Sequence, residues 1–185
     1  SATVATTPTS ITKTSQTVWV LGLNVSGTAN GSETLSVVPA SSTSIYDAAS
    51  NAASTTQSGN TASLNEKIVP TISSASLNTA NSALTVTFSE NVYDTNSGSG
   101  DLEVGDFALA ISNGSATVAA TPTSITKTSQ TVWVLGLNVS GTANGSETIS
   151  VVPASSTSIY DGASNAASTT QSGNTASLNE KIVPT

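Results

Sequence analysis

Five carboxylate side chains crowd one short stretch of this chain, which we call the acidic loop (residues 90–106). These acids are Glu90, Asp94, Asp101, Glu103 and Asp106. No lysine occurs between Ile72 and Gly114 to neutralise them. Carboxylates held this close repel one another unless a cation binds them or water screens them. The loop is therefore either part of a site for a hard divalent cation or a solvated face.

The spacing of these acids matches a known calcium-binding loop only in part. Asp94 and Asn96 fit the first and third positions of an EF-hand loop. Gly98 and Gly105 then fall at the fifth and twelfth positions, where that loop needs oxygen donors. The acidic loop is thus no EF-hand by its spacing, and a cation site there requires ligands from other segments.

Ordinary catalytic chemistry has few candidates in this sequence. Histidine and cysteine are absent, which excludes Ser-His-Asp and Cys-His catalysis, ordinary zinc sites and disulfides. Ser10–Lys13 and Ser124–Lys127 spell the S-x-x-K of serine acylases, but the S-D-N and K-T-G motifs that accompany it are missing. We therefore expect a protein that is not an enzyme.

The composition is that of a secreted β protein. Eleven acids against four lysines give a net charge of −7, and only 8% of the residues are charged. A chain without a basic surface is a poor partner for nucleic acid. No apolar run approaches the roughly 20 residues of a membrane helix, so we expect no membrane insertion in this segment. Any export signal or anchor is expected outside it.

The sequence repeats itself with a period of 114 residues. Residues 1–71 realign on residues 115–185 with three substitutions. These are Thr6/Ala120, Leu35/Ile149 and Ala48/Gly162. Such self-similarity is the signature of a tandem-repeat architecture, and near-identity indicates recent duplication.

The period sets the predicted domain boundaries. Residues 1–67 are the C-terminal part of one repeat, without its first three strands; residues 68–71 are a linker; residues 72–181 are a complete repeat, and residues 182–185 begin the next linker. Three explanations of the partial repeat remain. Its missing half precedes Ser1, or the boundary cuts a continuous array, or residues 72–114 of a neighbouring molecule complete it. The array cut is favoured first, and completion in trans by strand complementation, which would propagate a filament, second.

Alternating apolar residues predict about seven strands in the complete repeat. The predicted strands lie near 72–77, 83–88, 107–111, 116–120, 131–139, 149–151 and 175–178. Clusters such as NSGSG and SGTANGS separate them, and no segment has the pattern of a helix. This profile predicts an all-β, Ig-like antiparallel β-sandwich. Trp133 lies on an alternating strand and is expected in the core rather than in a ligand site.

Strand direction predicts where the acidic loop lies. If seven antiparallel strands alternate in direction, the second and sixth both end at the entry pole, the end of the domain at which the chain enters. The acidic loop would meet Asp161 and Asn165 of YDGASN there, together with Asn65 and Glu66 of the incoming linker. Carboxylate and amide oxygens are the ligands of Ca²⁺. An eighth alternation would move Asp161 to the far end.

A family resemblance covers essentially the whole period. The stretches VTFSENVYDTNSGSGDLEVGDFALAISNG, VWVLGLNVSGTANGSETISVVPASSTSIYDGASN and NTASLNEKIVPTI carry it. They resemble the tandem bacterial Ig-like (cadherin-like) repeats of giant cell-surface adhesin-type proteins. The resemblance implies extracellular β-sandwich spacers, with neighbouring repeats as partners and calcium at their junctions. The family commonly has YDGAGN and LNDK where this chain has YDGASN and LNEK, and both differences keep oxygen donors.

Together these observations predict a structural, non-catalytic segment of a protein at the bacterial cell surface. It would act as a spacer, a stalk or a filament-forming segment stiffened by calcium at domain junctions. The alternative is a calcium-dependent adhesive module that binds a glycan or a surface. A nearly perfect duplicate favours the spacer, because binding tips usually differ from the stalk that carries them.

Overall fold

The computed structural model describes residues 1–184 and is nearly all β. Thr185, the last residue of the predicted linker 182–185, lies outside the described residues. The chain divides into two compact units, one of Ser1–Ile68 and a second that begins at Val69. Across residues 1–184, no helix is long and apolar enough to cross a membrane.

The first unit is built from six short strands within Ser1–Ile68. They are β1 (Thr3–Val4), β2 (Ser10–Lys13), β3 (Trp19–Gly22), β4 (Val25–Ser26), β5 (Thr34–Ser36) and β6 (Thr61–Ser63). β1 pairs with β4, β2 with β3 and β5 with β6, all antiparallel. The result is three two-stranded sheets.

The second unit has nine strand segments among its described residues. They are β7 (Ile72–Leu77), β8 (Ala83–Phe88), β9 (Phe107–Ser112), β10 (Thr117–Val118), β11 (Ser124–Lys127), β12 (Val132–Gly136), β13 (Val139–Ser140), β14 (Thr148–Pro153) and β15 (Thr175–Ser177). The order β11-β12-β8-β7 forms a four-stranded sheet, β15-β14-β9 forms a three-stranded sheet, and β10 pairs with β13. A 3₁₀ turn (Val104–Asp106) precedes β9.

Alternation within the central strands supplies the core of the second unit. Every second side chain of β8, β12 and β14 is buried, as expected for strands with one face turned inward. Trp133 and Leu135 of the four-stranded sheet join Ile149 and Val151 of the three-stranded sheet in one buried cluster. Two sheets that share a core are consistent with a β-sandwich. The prediction that Trp133 is a core residue is confirmed.

The strand segments differ from the seven predicted runs in three places. The run predicted at 131–139 is divided into β12 and β13, and the run at 116–120 is reduced to β10. β11 was not predicted, because Ile125 is its only apolar residue. The five residues between Val118 and Ser124 face only two on the opposite strand, so the ladder breaks there. β10 and β11 run in the same direction, and so do β12 and β13. β10 pairs with β13, and β11 pairs with β12.

The first hairpin of the second unit is joined to the last strand at both ends. At one end, Gln171 Oε1 accepts a hydrogen bond from Ile72 N at 2.8 Å. At the other end, Asn81 Nδ2 donates to Asn179 O at 2.7 Å, and Asn179 N donates to Asn81 Oδ1 at 2.8 Å. β7 and β15 belong to different sheets, so these side chains connect the two sheets along one edge.

Candidate functional site

Two long connections of the second unit meet at the entry pole. The acidic loop follows β8, and a second connection (residues 154–174) follows β14. Phe88 at the end of β8 lies beside Phe107 at the start of β9, with ring centroids 6.3 Å apart, so β9 starts at the pole where β8 ends. β14 is antiparallel to β9 and returns to that pole. Tyr93 and Tyr160 then join the two connections through backbone N–O distances of 2.7 and 2.9 Å.

Asp161 is the most deeply buried acid of this pole. The residue is 1% exposed. Oδ1 accepts hydrogen bonds from the backbone N–H of Ala163 at 2.8 Å and of Asn165 at 2.7 Å. Oδ2 accepts from Asn165 Nδ2 at 2.8 Å. Ser164 adopts a positive φ of 72°, which folds the D-G-A-S-N segment back around the carboxylate. Local turn chemistry therefore fixes both Asp161 and Asn165.

Glu90 brings a second carboxylate to Asp161. It is half-buried at the start of the acidic loop, directly after β8. A carboxylate oxygen of each of these two residues lies within 4.8 Å of the other. Two oxygens at 2.3–2.6 Å from one calcium ion are separated by no more than about 5 Å. A carboxylate offers about four lone-pair positions, so the hydrogen bonds to Asp161 leave room for a cation. The pair fits one Ca²⁺.

A separate group of acids forms farther along the acidic loop. Asp106 is buried at the end of the 3₁₀ turn, and its Oδ2 accepts a hydrogen bond from Glu103 N at 2.7 Å. Burial raises the pKa of Asp106, against the lowering effect of this bond, and the charges of Asp94 and Glu103 raise it further. Asp94 is half-buried and Glu103 is exposed. Asp94 and Glu103 are therefore each close enough to Asp106 to act on its charge.

Asp101 is neutralised by a residue that the sequence does not single out. Lys127 Nζ lies 2.5 Å from Asp101 Oδ1, and both side chains are partly exposed. The same ammonium group lies 5.7 Å from the ring centroid of Trp133. The absence of lysine from residues 72–114 therefore does not leave the acidic loop without a counter-charge, because Lys127, distant in sequence, reaches it from the end of β11. The sequence gives no spacing signal for that approach.

The linker residues Asn65 and Glu66 belong to the first unit. Asn65 is exposed. Glu66 Oε1 accepts a hydrogen bond from the backbone N–H of Ile68. Beside them, Lys67 N donates to Ala29 O at 2.9 Å, which holds the end of the unit against the turn at Ala29. Their place in the predicted calcium site rests on the sequence.

Polar side chains that the sequence reading missed also stabilise the entry pole. Gln130 Nε2 donates to Val92 O at 3.0 Å, which holds the turn after β11 against the acidic loop. Ser164 Oγ donates to Asn96 O, and so adds a second link between the two connections. A glutamine or serine within a turn carries no pattern that distinguishes such a role from a solvated one.

The S-x-x-K motif has no acylase geometry in β11. Ser124 and Lys127 are three residues apart on a strand, so their side chains leave opposite faces of the sheet. Lys127 is directed to Asp101, as described above. The hydroxyl and the amine therefore do not form a nucleophile–base pair.

Comparisons with protein-family models, with curated proteins and with solved structures give no match to this chain.

Proposed function

We propose that this chain is a structural, non-catalytic segment built from Ig-like repeats, acting as a calcium-stiffened spacer of a bacterial cell-surface protein. The near-identity of residues 1–71 and 115–185 supports a repeat array. The two sheets around one core support a sandwich domain as its unit. The surface location and the Ig-like assignment rest on the sequence resemblance.

One observation carries the calcium part of the proposal. Glu90 and Asp161 come from connections that are far apart in the chain, yet carboxylate oxygens of the two lie within 4.8 Å of each other. Asp161 is buried and Glu90 is half-buried, so a cation bound between them would offset the repulsion of two like charges at this distance. Bound calcium would supply that positive charge, and Asn165 offers an amide oxygen beside it.

The stiffening is argued from the order of residues along the chain. Asn65 and Glu66 carry oxygen donors and precede Val69, the first residue of the second unit, by only a few residues. If they ligate the ion held by Glu90 and Asp161, the linker loses conformational freedom when calcium binds. Repeats would then add length, and calcium would limit bending between them.

Thermal unfolding of the full chain with calcium and with chelator tests the metal site. Calcium at about a hundred times its Kd stabilises the folded state by about 2.7 kcal/mol, a rise in Tm of roughly 10 °C for a domain of this size. Glu90→Gln and Asp161→Asn are expected to abolish that rise. Asp47→Asn is the matched control, because Asp47 has the same local hydrogen bonds in the first unit but is exposed. Equal Tm with calcium and chelator would refute the site.

Distance measurements between spin labels test the stiffening separately. The chain has no cysteine, so Thr12→Cys and Thr126→Cys place unique labels at matched, exposed strand positions in the two units. Calcium is expected to narrow the distribution of label distances, and Glu66→Gln is expected to weaken this effect. If calcium raises the Tm but does not change the distribution of label distances, the metal site is retained as a proposal and the stiffening is refuted.

The adhesive alternative is distinguished by glycan binding. Trp133 is buried in the core and offers no face on which a sugar could stack. Saturable glycan binding that is lost with chelator would favour the adhesive module over the spacer.

A further inference from the structure

The first unit presents two open strand edges and an apolar face, which together we call the acceptor surface. Within Ser1–Ile68, β3 pairs on one edge with β2, and β5 pairs on one edge with β6. Between them lies a cavity of about 670 Å³. Its apolar lining includes Val4, Leu21, Leu23, Leu35, Val37 and Ile45. Unpaired edges beside exposed apolar side chains are where a further chain adds.

The second unit shows what covers the same surface. β12, the counterpart of β3, pairs with β11 on one edge and with β8 on the other, from Val132↔Thr87 to Gly136↔Ala83. β14, the counterpart of β5, pairs with β15 and with β9. β8 and β9 both lie within residues 72–114, the segment that has no counterpart in the first unit. This one segment therefore fills both edges.

Residues 72–114 also account for the burial of apolar side chains in the second unit. Trp133 and Ile159 are 1% and 0% exposed in the second unit, where Leu84 and Val86 of β8 and Leu109 of β9 belong to the same core. Their counterparts in the first unit, Trp19 and Ile45, are 50% and 55% exposed. The acceptor surface thus has the side chains to receive β8 and β9.

Polar side chains of the first unit also match the contacts that residues 72–114 make in the second unit. In the second unit, Lys127 pairs with Asp101, Gln171 accepts from Ile72 N, and Asn179 bonds to Asn81. The first unit carries the same residue types at the matching positions, namely Lys13, Gln57 and Asn65. Residues 72–114 hold five acids and no lysine, so their charge also complements Lys13.

We propose that the first unit binds a chain segment with the sequence of residues 72–114, supplied by another repeat of this kind. The segment adds β8-like and β9-like strands to the open edges at β3 and β5, and its apolar residues fill the cavity. The recognition is strand complementation, in which backbone hydrogen bonds give affinity and alternate side chains give specificity. It does not depend on the calcium site.

A synthetic peptide of residues 72–114, added to the full chain in the presence of chelator, tests the proposal. Trp133→Phe leaves Trp19 as the reporter tryptophan. We expect its emission to shift to shorter wavelength as the ring is buried, with saturation at one peptide per chain. Native mass spectrometry of the unsubstituted chain is expected to show the same one-to-one complex, which guards against a folding defect in the variant.

Matched variants identify the surface that binds. Leu21→Asp in the acceptor surface, or Val86→Asp in the peptide, is expected to abolish the shift, because each buries a charge in the new core. The Trp19→Phe chain, in which Trp133 reports, should show no change. If the full chain binds no peptide, the proposal is overturned. A response of Trp133 would overturn it in favour of exchange in the second unit, and a chain dimer that takes up no peptide would overturn it in favour of a second copy covering the surface.

Discussion

The chain places nearly the same sequence, residues 1–71 and 115–185, in two surroundings, and the two outcomes differ in burial rather than in local structure. Trp19 and Ile45 are exposed in the first unit, whereas Trp133 and Ile159 lie in the core of the second. Three substitutions separate the two copies, and none is at these positions. The difference follows residues 72–114, because the core of the second copy includes side chains of that segment.

The local hydrogen bonds of two turns are the same in both copies. Asp47 Oδ1 accepts from Asn51 N at 2.8 Å, and Asp161 Oδ1 accepts from Asn165 N at 2.7 Å. Glu33 accepts from Asn30 N at 3.0 Å, as its counterpart in the second unit does from the matching residue at 2.9 Å. Short stretches of sequence thus determine the conformation of these turns, whereas burial depends on contacts with residues outside those stretches.

The largest expected difference concerns the two tryptophans. Trp133→Ala removes a fully buried side chain and should lower the free energy of unfolding by about 3–5 kcal/mol. Trp19→Ala removes a half-exposed ring and should change it by no more than roughly 0.5 kcal/mol. Urea unfolding of the full chain measures both. Equal losses would mean that Trp19 is packed in solution as Trp133 is.

A second expected difference is that Asp106, in the segment without a counterpart in the first unit, contributes a pH dependence of the opposite sign. Hydrogen bonds lower the pKa of Glu33 and of Asp47 in the first unit, so their contribution to stability is lost as pH falls through the lowered pKa. Burial raises the pKa of Asp106, so the folded state binds its proton more tightly, and stability falls as pH rises from about 3.8 through the raised pKa.

The Asp106→Asn variant tests the loss of stability with rising pH that is expected from Asp106. Asparagine keeps an oxygen that can accept from Glu103 N, but it does not ionise. In chelator, the stability of the variant relative to the natural chain should therefore increase between acidic and neutral pH. Thermal melts across that range measure it, and a constant difference would show that Asp106 titrates alike in the folded and unfolded chain.

The smallest expected difference concerns the two lysines. Lys127 forms an ion pair with Asp101, and Lys13 donates instead to Gln16 Oε1 at 2.6 Å. Lys127→Met should lower the free energy of unfolding by about 0.2–1 kcal/mol, less in high salt, as is usual for exposed pairs. Lys13→Met should show a weaker salt dependence. The two variants compared in low and high salt give the contribution of the pair, and identical salt responses would assign it no stabilising role.

The sequence predicts most of the central strands because they alternate. β8 and β14 have every second residue apolar, and both lie where the alternation places them. β11 is missed because SITK has one apolar residue, and its place in the sheet comes from pairing with β12. The breaks between β10 and β11 and between β12 and β13 also lack a local signal, because they arise where the register of one hairpin shifts.

The candidate site is predictable to the extent that strand direction determines it. The meeting of the acidic loop with the YDGASN connection follows from direction alone, which the divided strands leave unchanged. Which acids approach each other does not follow. Glu90 reaches Asp161, whereas Asp101 is paired with Lys127 and Asp106 lies near Asp94 and Glu103. Those choices depend on loop conformation, which no periodic pattern encodes.

The two hydrogen-bonded ends of the β7–β15 edge have a mechanical consequence. The chain enters the second unit before Ile72 and leaves it after Asn179, so tension along the chain acts on the first and last strands. The bonds from Ile72 to Gln171 and from Asn81 to Asn179 connect these strands at opposite ends of the domain. Tension would strain both sets in shear together rather than peel them one after the other. The unit would then resist extension most strongly when it is pulled between Ile72 and Asn179.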